Sequence, residues 1–289
     1  MKKFRHSLLS LVLLKLLVVV VVLPRRVSLF LGGLIGVWTS HLAKSYRVRT
    51  EKNISGAFPE LKPTEIRNLR IKVFKNAGMN LVEFAIFSFR SEKFWRKRVE
   101  ISGEEILKEN AGRKGIIYLT AHTGNWELMG AFLSMAGYSI NVVAKEMKNS
   151  FQNSLLVGIR DLMGVKTIYR DGRSNTKKMI TALKRKEVLG ILIDQDTEVG
   201  GVFADFFNGP AYTPTACSQF ARIKNTLVIP GFIYRKSNLR HEIVIMEPVE
   251  GGKDQLAETA RYNKIIEGFV REHPADWVWM HRRWKRSPA

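Results

Sequence analysis

Three regimes of apolar patterning follow one another along the chain. Residues 7–23, SLLSLVLLKLLVVVVVL, are apolar almost without interruption, with Lys15 as the break. Between Lys62 and Arg90, Ile66, Leu69, Val73, Phe74, Ala77, Leu81 and Phe84 recur at steps of three and four. That period predicts an amphipathic helix, which Pro63 and Thr64 would start. Beyond Arg113, short apolar runs (115–121, 140–144, 165–169, 188–194 and 227–234) alternate with helix-like stretches near 126–136, 151–162, 174–185 and 214–224. The alternation predicts an α/β fold, a largely parallel sheet flanked by helices. HEIVIM at 241–246 reads as an antiparallel edge strand, and a last helix over about 254–272 stops before Pro274.

The first run predicts an N-terminal hydrophobic membrane helix. Lys2, Lys3 and Arg5 precede it, and Pro24-Arg25-Arg26 follow where a processing site would carry small residues, so it reads as retained. Its 17 residues stand at the lower limit for crossing a bilayer, which leaves spanning and monotopic insertion both open. The expected organisation is an anchor over 1–27 and one domain over 28–289. A second apolar patch, Val27 to Trp38 with Gly32, Gly33 and Gly36, is too short to span and is expected to pack on the anchor or dip into the interface. Lys44, Arg47 and Arg49 behind it suit acidic headgroups.

Composition narrows the classes of function. The 289 residues carry a formal charge of +21, which calls for an anionic partner: nucleic acid, acidic lipid, a phosphorylated substrate or an acidic carrier protein. Cys217 is the only cysteine, so internal disulfides and cysteine-based metal sites are excluded, and it reads as a small buried hydrophobe. There is no GxxxxGK[ST] loop and no well-placed GxGxxG, so nucleotide cofactors have no support, and no HExxH, so no metal is expected. A metal hydrolase built on His122, Glu127, Asp194 and Asp196 ranks last.

The chemistry concentrates after the first predicted strand, where GIIYLTA runs into His122-Thr123-Gly124-Asn125-Trp126-Glu127. A histidine at the carboxyl end of a buried strand opens into the crevice where such sheets bind ligands. On one continuous helix His122 and Glu127 would point about 140° apart. With His122 in a turn and Thr123 or Asn125 capping the helix, the Glu127 carboxylate comes back toward the imidazole and orients it as a general base. A capped helix beside a structurally satisfied histidine explains the same residues.

H-x4-[DE] after a strand resembles the signature of the glycerolipid acyltransferases, and AHTGNWELMG is similar to their lipid A branch, the lauroyl/myristoyl-transferase family. Asn53 to Glu60 with Glu65, Asn76, Gly78 and Glu83, the run DQDTEVGGVFADFFNGPAYTPT at 194–215, and WVWMHRRWKR at 277–286 agree, so the resemblance covers about residues 28–287. Asn208-Gly209 departs from the tighter glycine turn usual there. The resemblance implies transfer of a fatty acyl chain from acyl carrier protein to a hydroxyl of a lipid-linked sugar, at the cytoplasmic face of the cell inner membrane. It places the general base on His122, the orienting carboxylate on Glu127, a supporting arginine on Arg160 and an acidic loop residue on Asp194, with Asp196 close by.

A thioester is already activated, so a hydroxyl needs deprotonation, positioning and an oxyanion site, with no covalent intermediate and no cofactor beyond the acyl thioester itself. Gly124 and the helix start at Asn125 are candidates for the oxyanion site, and ordinary turn chemistry explains them equally well. Arg282, Arg283, Lys285 and Arg286, interleaved with Trp277, Trp279 and Trp284, would hold sugar phosphates or lie at the membrane interface. The expected partners are acyl carrier protein, anionic membrane lipid and a phosphorylated glycolipid acceptor, without nucleic acid. A mannoside-type glycolipid acyltransferase and a membrane-tethered binding protein for anionic lipid or nucleic acid are the competing readings.

Overall fold

The computed structural model describes residues 21–288. The apolar run at 7–23 thus lies outside the described residues apart from its last three, and among the described residues no helix is long and apolar enough to cross a membrane.

Three helices lead the chain: α1 (Arg25–Leu42), α2 (Lys44–Ala57) and α3 (Pro63–Phe87). The second apolar patch is α1, and its partner among the described residues is α3, across a contact made of glycines. A Cβ on Gly36 would stand 2.1 Å from the Phe74 carbonyl oxygen, and one on Gly78 would stand 2.0 Å from that of Gly32. The backbones approach so closely because neither helix has a side chain there. Gly36→Val is expected to push α1 off α3 and cost about 1–3 kcal/mol, read as a lower thermal midpoint; an unchanged midpoint would show that the contact is dispensable.

A short helix α4 (Glu92–Arg96), strand β1 (Val99–Ser102) and helix α5 (Glu104–Asn110) follow, none of which the apolar pattern predicted. The predicted alternation then appears as β2 (Gly115–Thr120), α6 (Trp126–Met135), β3 (Ile140–Ala144), α7 (Ser150–Leu162), β4 (Lys166–Tyr169), α8 (Arg173–Lys184) and β5 (Val188–Leu192). A hairpin, β6 (Gly201–Phe206) and β7 (Gly209–Pro214), lies within the run 194–215. Helix α9 (Ala216–Ala221), β8 (Thr226–Arg235), β9 (His241–Ile245) and α10 (Gln255–Glu272) complete the order.

The seven-stranded sheet runs β1-β9-β8-β2-β5-β3-β4. β2, β3, β4, β5 and β8 are parallel, and β9 is antiparallel to β8 as predicted. It is not an edge strand, because β1 pairs parallel to its outer side. One apolar cluster fills the face under α5 and α6, built on Ile116, Tyr118, Leu128, Phe132 and Val188. The other fills the face under α8, α9 and α10, built on Ile117, Leu119, Leu189, Met179 and Phe269. Alternation along β2 and β5 sends successive side chains to opposite clusters, which is why both strands read as continuous apolar runs.

A histidine–aspartate pair at the mouth of an apolar cavity

Strand β2 ends at Thr120, opposite Leu192 of the parallel strand β5. Continued two residues along both chains, that register sets His122 beside Asp194. His122 Nδ1 lies 2.8 Å from Asp194 Oδ1, and the His122 backbone N–H donates to Asp194 Oδ2 at 2.9 Å. Trp277 Nε1 donates to the same Oδ2 at 2.8 Å. The Asp194 side chain is 1% exposed and that of His122 21%. Burial works to raise the Asp194 pKa, but the imidazole's charge and the hydrogen bonds from His122 and Trp277 outweigh it and hold the carboxyl well below the usual range. Asp194 therefore stays ionised and fixes the tautomer of His122 with the proton on Nδ1, leaving Nε2 as the acceptor.

This corrects the expectation that Glu127 orients the ring. Glu127 stands on the first turn of α6, and its carboxylate is taken by Arg160 at the end of α7, with Arg160 Nε to Oε2 at 2.9 Å and Nη2 to Oε1 at 2.5 Å. A bidentate guanidinium outcompetes an imidazole for a carboxylate. Arg160 Nη1 is buried without a hydrogen-bond partner.

The Gly124 N–H and the Asn125 side chain, read as candidates for the oxyanion site, are both engaged in the turn itself. Gly124 stands at φ +49°, where an added Cβ would lie 2.2 Å from the Ile233 carbonyl oxygen. Its N–H donates to Asp276 O at 2.8 Å. Asn125 is buried and caps α6, accepting from Leu128 N at 3.2 Å, and donates to Asn80 O at 3.2 Å and Glu83 Oε2 at 3.4 Å. Both residues lock the His122 turn against α3 and β8. Asp196 binds the terminal segment, accepting from Arg286 Nε at 2.6 Å and Arg286 N at 3.0 Å.

Part of the terminal block is built into the core. Trp277 and Trp279 are buried, Trp277 on Asp194 and across an isolated bridge to Thr123. Arg283 is buried and donates to Tyr212 O at 2.7 Å, Thr213 Oγ1 at 2.8 Å and Asn263 Oδ1 at 3.2 Å. Arg282 and Lys285 are exposed. Sequence reading missed His281, whose ring centroid lies 5.7 Å from that of His122 and whose Nε2 meets Gln195 Nε2 at 2.9 Å. Burial, then the neighbouring His122, pushes its pKa down to about 4, so it is neutral at physiological pH. The Trp126 ring stands edge-on to His122 at 5.0 Å.

The ring opens onto a cavity of about 530 Å³. Its mouth is lined by His122, Glu127, Arg160, Lys145, Arg170 and Gln195, and its depth by Tyr118, Met129, Leu133, Val142, Val165 and Val188. The lining runs from Leu192, at the end of β5, to Val188, at its start, about 13 Å of strand. Apolar depth behind a polar mouth suits a substrate with a hydrocarbon tail and a reacting polar head.

The fold and this site define an α/β protein with a histidine–carboxylate pair over an apolar cavity at the carboxyl ends of parallel strands. A family model for "Bacterial lipid A biosynthesis acyltransferase" matches residues 1–286. The chain belongs to that family and is an acyltransferase. The lipid A biosynthesis lauroyltransferase of Escherichia coli is 28% identical over 278 residues, 93% of this chain and 89% of the relative. The lipid A biosynthesis palmitoleoyltransferase of the same organism is 27% identical over 272 residues, 92% and 88% of the two chains. A lipid A biosynthesis acyltransferase of Haemophilus influenzae is 27% identical over 261 residues, 89% and 81% of the two chains. Among solved structures, the 1-acyl-sn-glycerophosphate (LPA) acyltransferase PlsC from Thermotoga maritima aligns with a TM-score of 0.42 at 16% identity, covering 88% of this chain and 99% of that one.

Proposed function

We propose that this protein transfers a fatty acyl chain from an acyl thioester, carried by acyl carrier protein, to a hydroxyl of a lipid A precursor, with His122 as general base. The observation that carries the reading is the His122 imidazole held by buried Asp194 at the mouth of the apolar cavity. The acceptor hydroxyl gives its proton to His122 Nε2 as its oxygen attacks the thioester carbonyl. The C–O bond forms, the C–S bond breaks, and the imidazolium returns the proton to the departing thiolate. Asp194 stabilises the imidazolium while it exists. Arg160 lines the same cavity, with Glu127 holding its guanidinium in position, and is the cation we assign to the developing oxyanion.

Membrane association is part of the proposal. The buried residues of α1 form one stripe against α3, and the opposite face leaves Phe30, Leu34, Ile35, Trp38 and Leu42 exposed. Exposed Arg26 and Lys44 flank that face. An apolar face of this size with cations at its ends suits the headgroup region of an anionic inner membrane, with the acyltransferase site on the cytoplasmic side.

His122→Ala is expected to abolish transfer from acyl carrier protein thioesters to a lipid A precursor in detergent micelles, with the protein still folded at the assay temperature. Transfer at the rate of the unaltered protein would remove His122 from the reaction.

A further inference from the structure

The cavity behind His122 owes its depth to an opening within the sheet. The pairing of β3 with β5 ends where Val142 stands opposite Gly190. Beyond that point β5 stays with β2 as far as Leu192, while β3 stays with β4 as far as Tyr169. The two strands part, and the cavity lies over the fork: its lining includes Val142 and Val188 from one face of the sheet, and Ile191 and Met179 from the other.

Gly190 stands at the fork, and Gly130 of α6 lines the same space. Neither glycine is required by the fold. Both stand outside the left-handed region of φ. A Cβ on Gly190 would meet Asn141 O and a Val142 methyl at 3.6 Å, ordinary contact distance, and one on Gly130 would meet a Val165 methyl at 3.9 Å. Gly36, Gly78 and Gly124, by contrast, have carbonyl oxygens within 2.2 Å of the same position. A glycine inside a helix or strand lowers stability relative to alanine, so two that packing does not demand, facing one cavity, mark space kept free for a ligand.

Resting on the acyl-transfer reading above, we infer that Gly130 and Gly190 form the throat of the acyl-chain channel and set the longest chain the enzyme accepts. A side chain at either position narrows the passage between α6 and the sheet at the level of the fork. The distal methylenes of a long chain then have no place, while a shorter chain still brings its thioester to His122.

The test uses the full chain in detergent micelles, with acyl carrier protein thioesters from octanoyl to palmitoyl and a lipid A precursor as acceptor. Gly130→Ala and Gly190→Ala are the mild variants, and Gly130→Leu and Gly190→Val fill the throat. The preferred donor is expected to move to a shorter chain. For the filling variants, kcat/KM for the chain the unaltered enzyme prefers falls about tenfold or more relative to octanoyl. Gly130→Ala is expected to keep or raise the thermal midpoint, since alanine favours the helix, which separates a loss of room from a loss of fold. An unchanged chain-length profile in the four variants, or a uniform fall at every length, overturns the inference. A fully active His122→Ala would overturn the acyl-transfer reading of the site instead.

Discussion

Asp194→Asn is expected to lower kcat for acyl transfer by about 10³–10⁴-fold while leaving the fold intact. The size follows from which oxygen the neighbours hold. Oδ2 accepts both the His122 backbone N–H and Trp277 Nε1–H, whereas Oδ1 faces His122 Nδ1. An asparagine satisfies those donors only with its carbonyl oxygen at the Oδ2 position, which turns its NH₂ toward Nδ1. That group donates, so Nδ1 becomes the acceptor and the ring proton moves to Nε2, where it blocks uptake of the proton from the hydroxyl. Nitrogen NMR of the imidazole should report the tautomer change, and kcat should fall far more than KM rises. A loss below tenfold with the tautomer unaltered would rule Asp194 out as the group that positions the ring.

Glu83→Ala is expected to destabilise the protein by about 3–5 kcal/mol, because it strands several buried positive groups. The Glu83 carboxylate is fully buried on α3 and accepts from Arg25 Nη2 at 2.5 Å, from Arg235 Nη1 at 3.0 Å and Nη2 at 2.7 Å, and from His241 Nε2 at 2.8 Å. These donors come from α1, β8 and β9, so one carboxylate ties the leading helices to the sheet. Burial opposes ionisation of Glu83, but Arg235 and His241 outweigh it and hold the pKa well below the ordinary 4.5. The stabilisation is therefore complete above about pH 4.5 and is lost as the pH falls through the lowered value in the folded state. Asn125 also donates to Glu83, so the turn that carries His122 loosens as well. Thermal unfolding at neutral pH should show a midpoint about 10 °C lower. A shift within a degree would mean that water replaces the carboxylate at no cost.

Apolar spacing alone was enough for the long amphipathic helix, for the β–α alternation from β2 to β5 and for the antiparallel β9, since burial on one or both faces dictates those periods. It was blind to β1, at the edge of the sheet, and to the hairpin β6–β7, where VFADFF and AYTP mix polar and apolar positions without a clean period. The second apolar patch was expected to pack on the anchor or dip into the interface; among the described residues its glycines fit α3, a partner that the periodicity of Ile66 to Phe84 does not announce.

His122 and its place after the first strand were determined by sequence alone, as was the acidic residue at the end of VLGILID, because strand ends and the residues just past them are written in the local pattern. Which carboxylate serves the imidazole was decided in three dimensions. Sequence proximity favoured Glu127. The parallel register of β2 on β5 brought Asp194 alongside instead, and α7 brought Arg160 to claim Glu127. Register between strands whose paired residues are 72 positions apart depends on how two faces pack at once, and no short window of residues contains that information. The same holds for Arg283 and Trp277: their basic and aromatic character was plain, but only the packed core shows that one is buried under the hairpin and the other donates to Asp194.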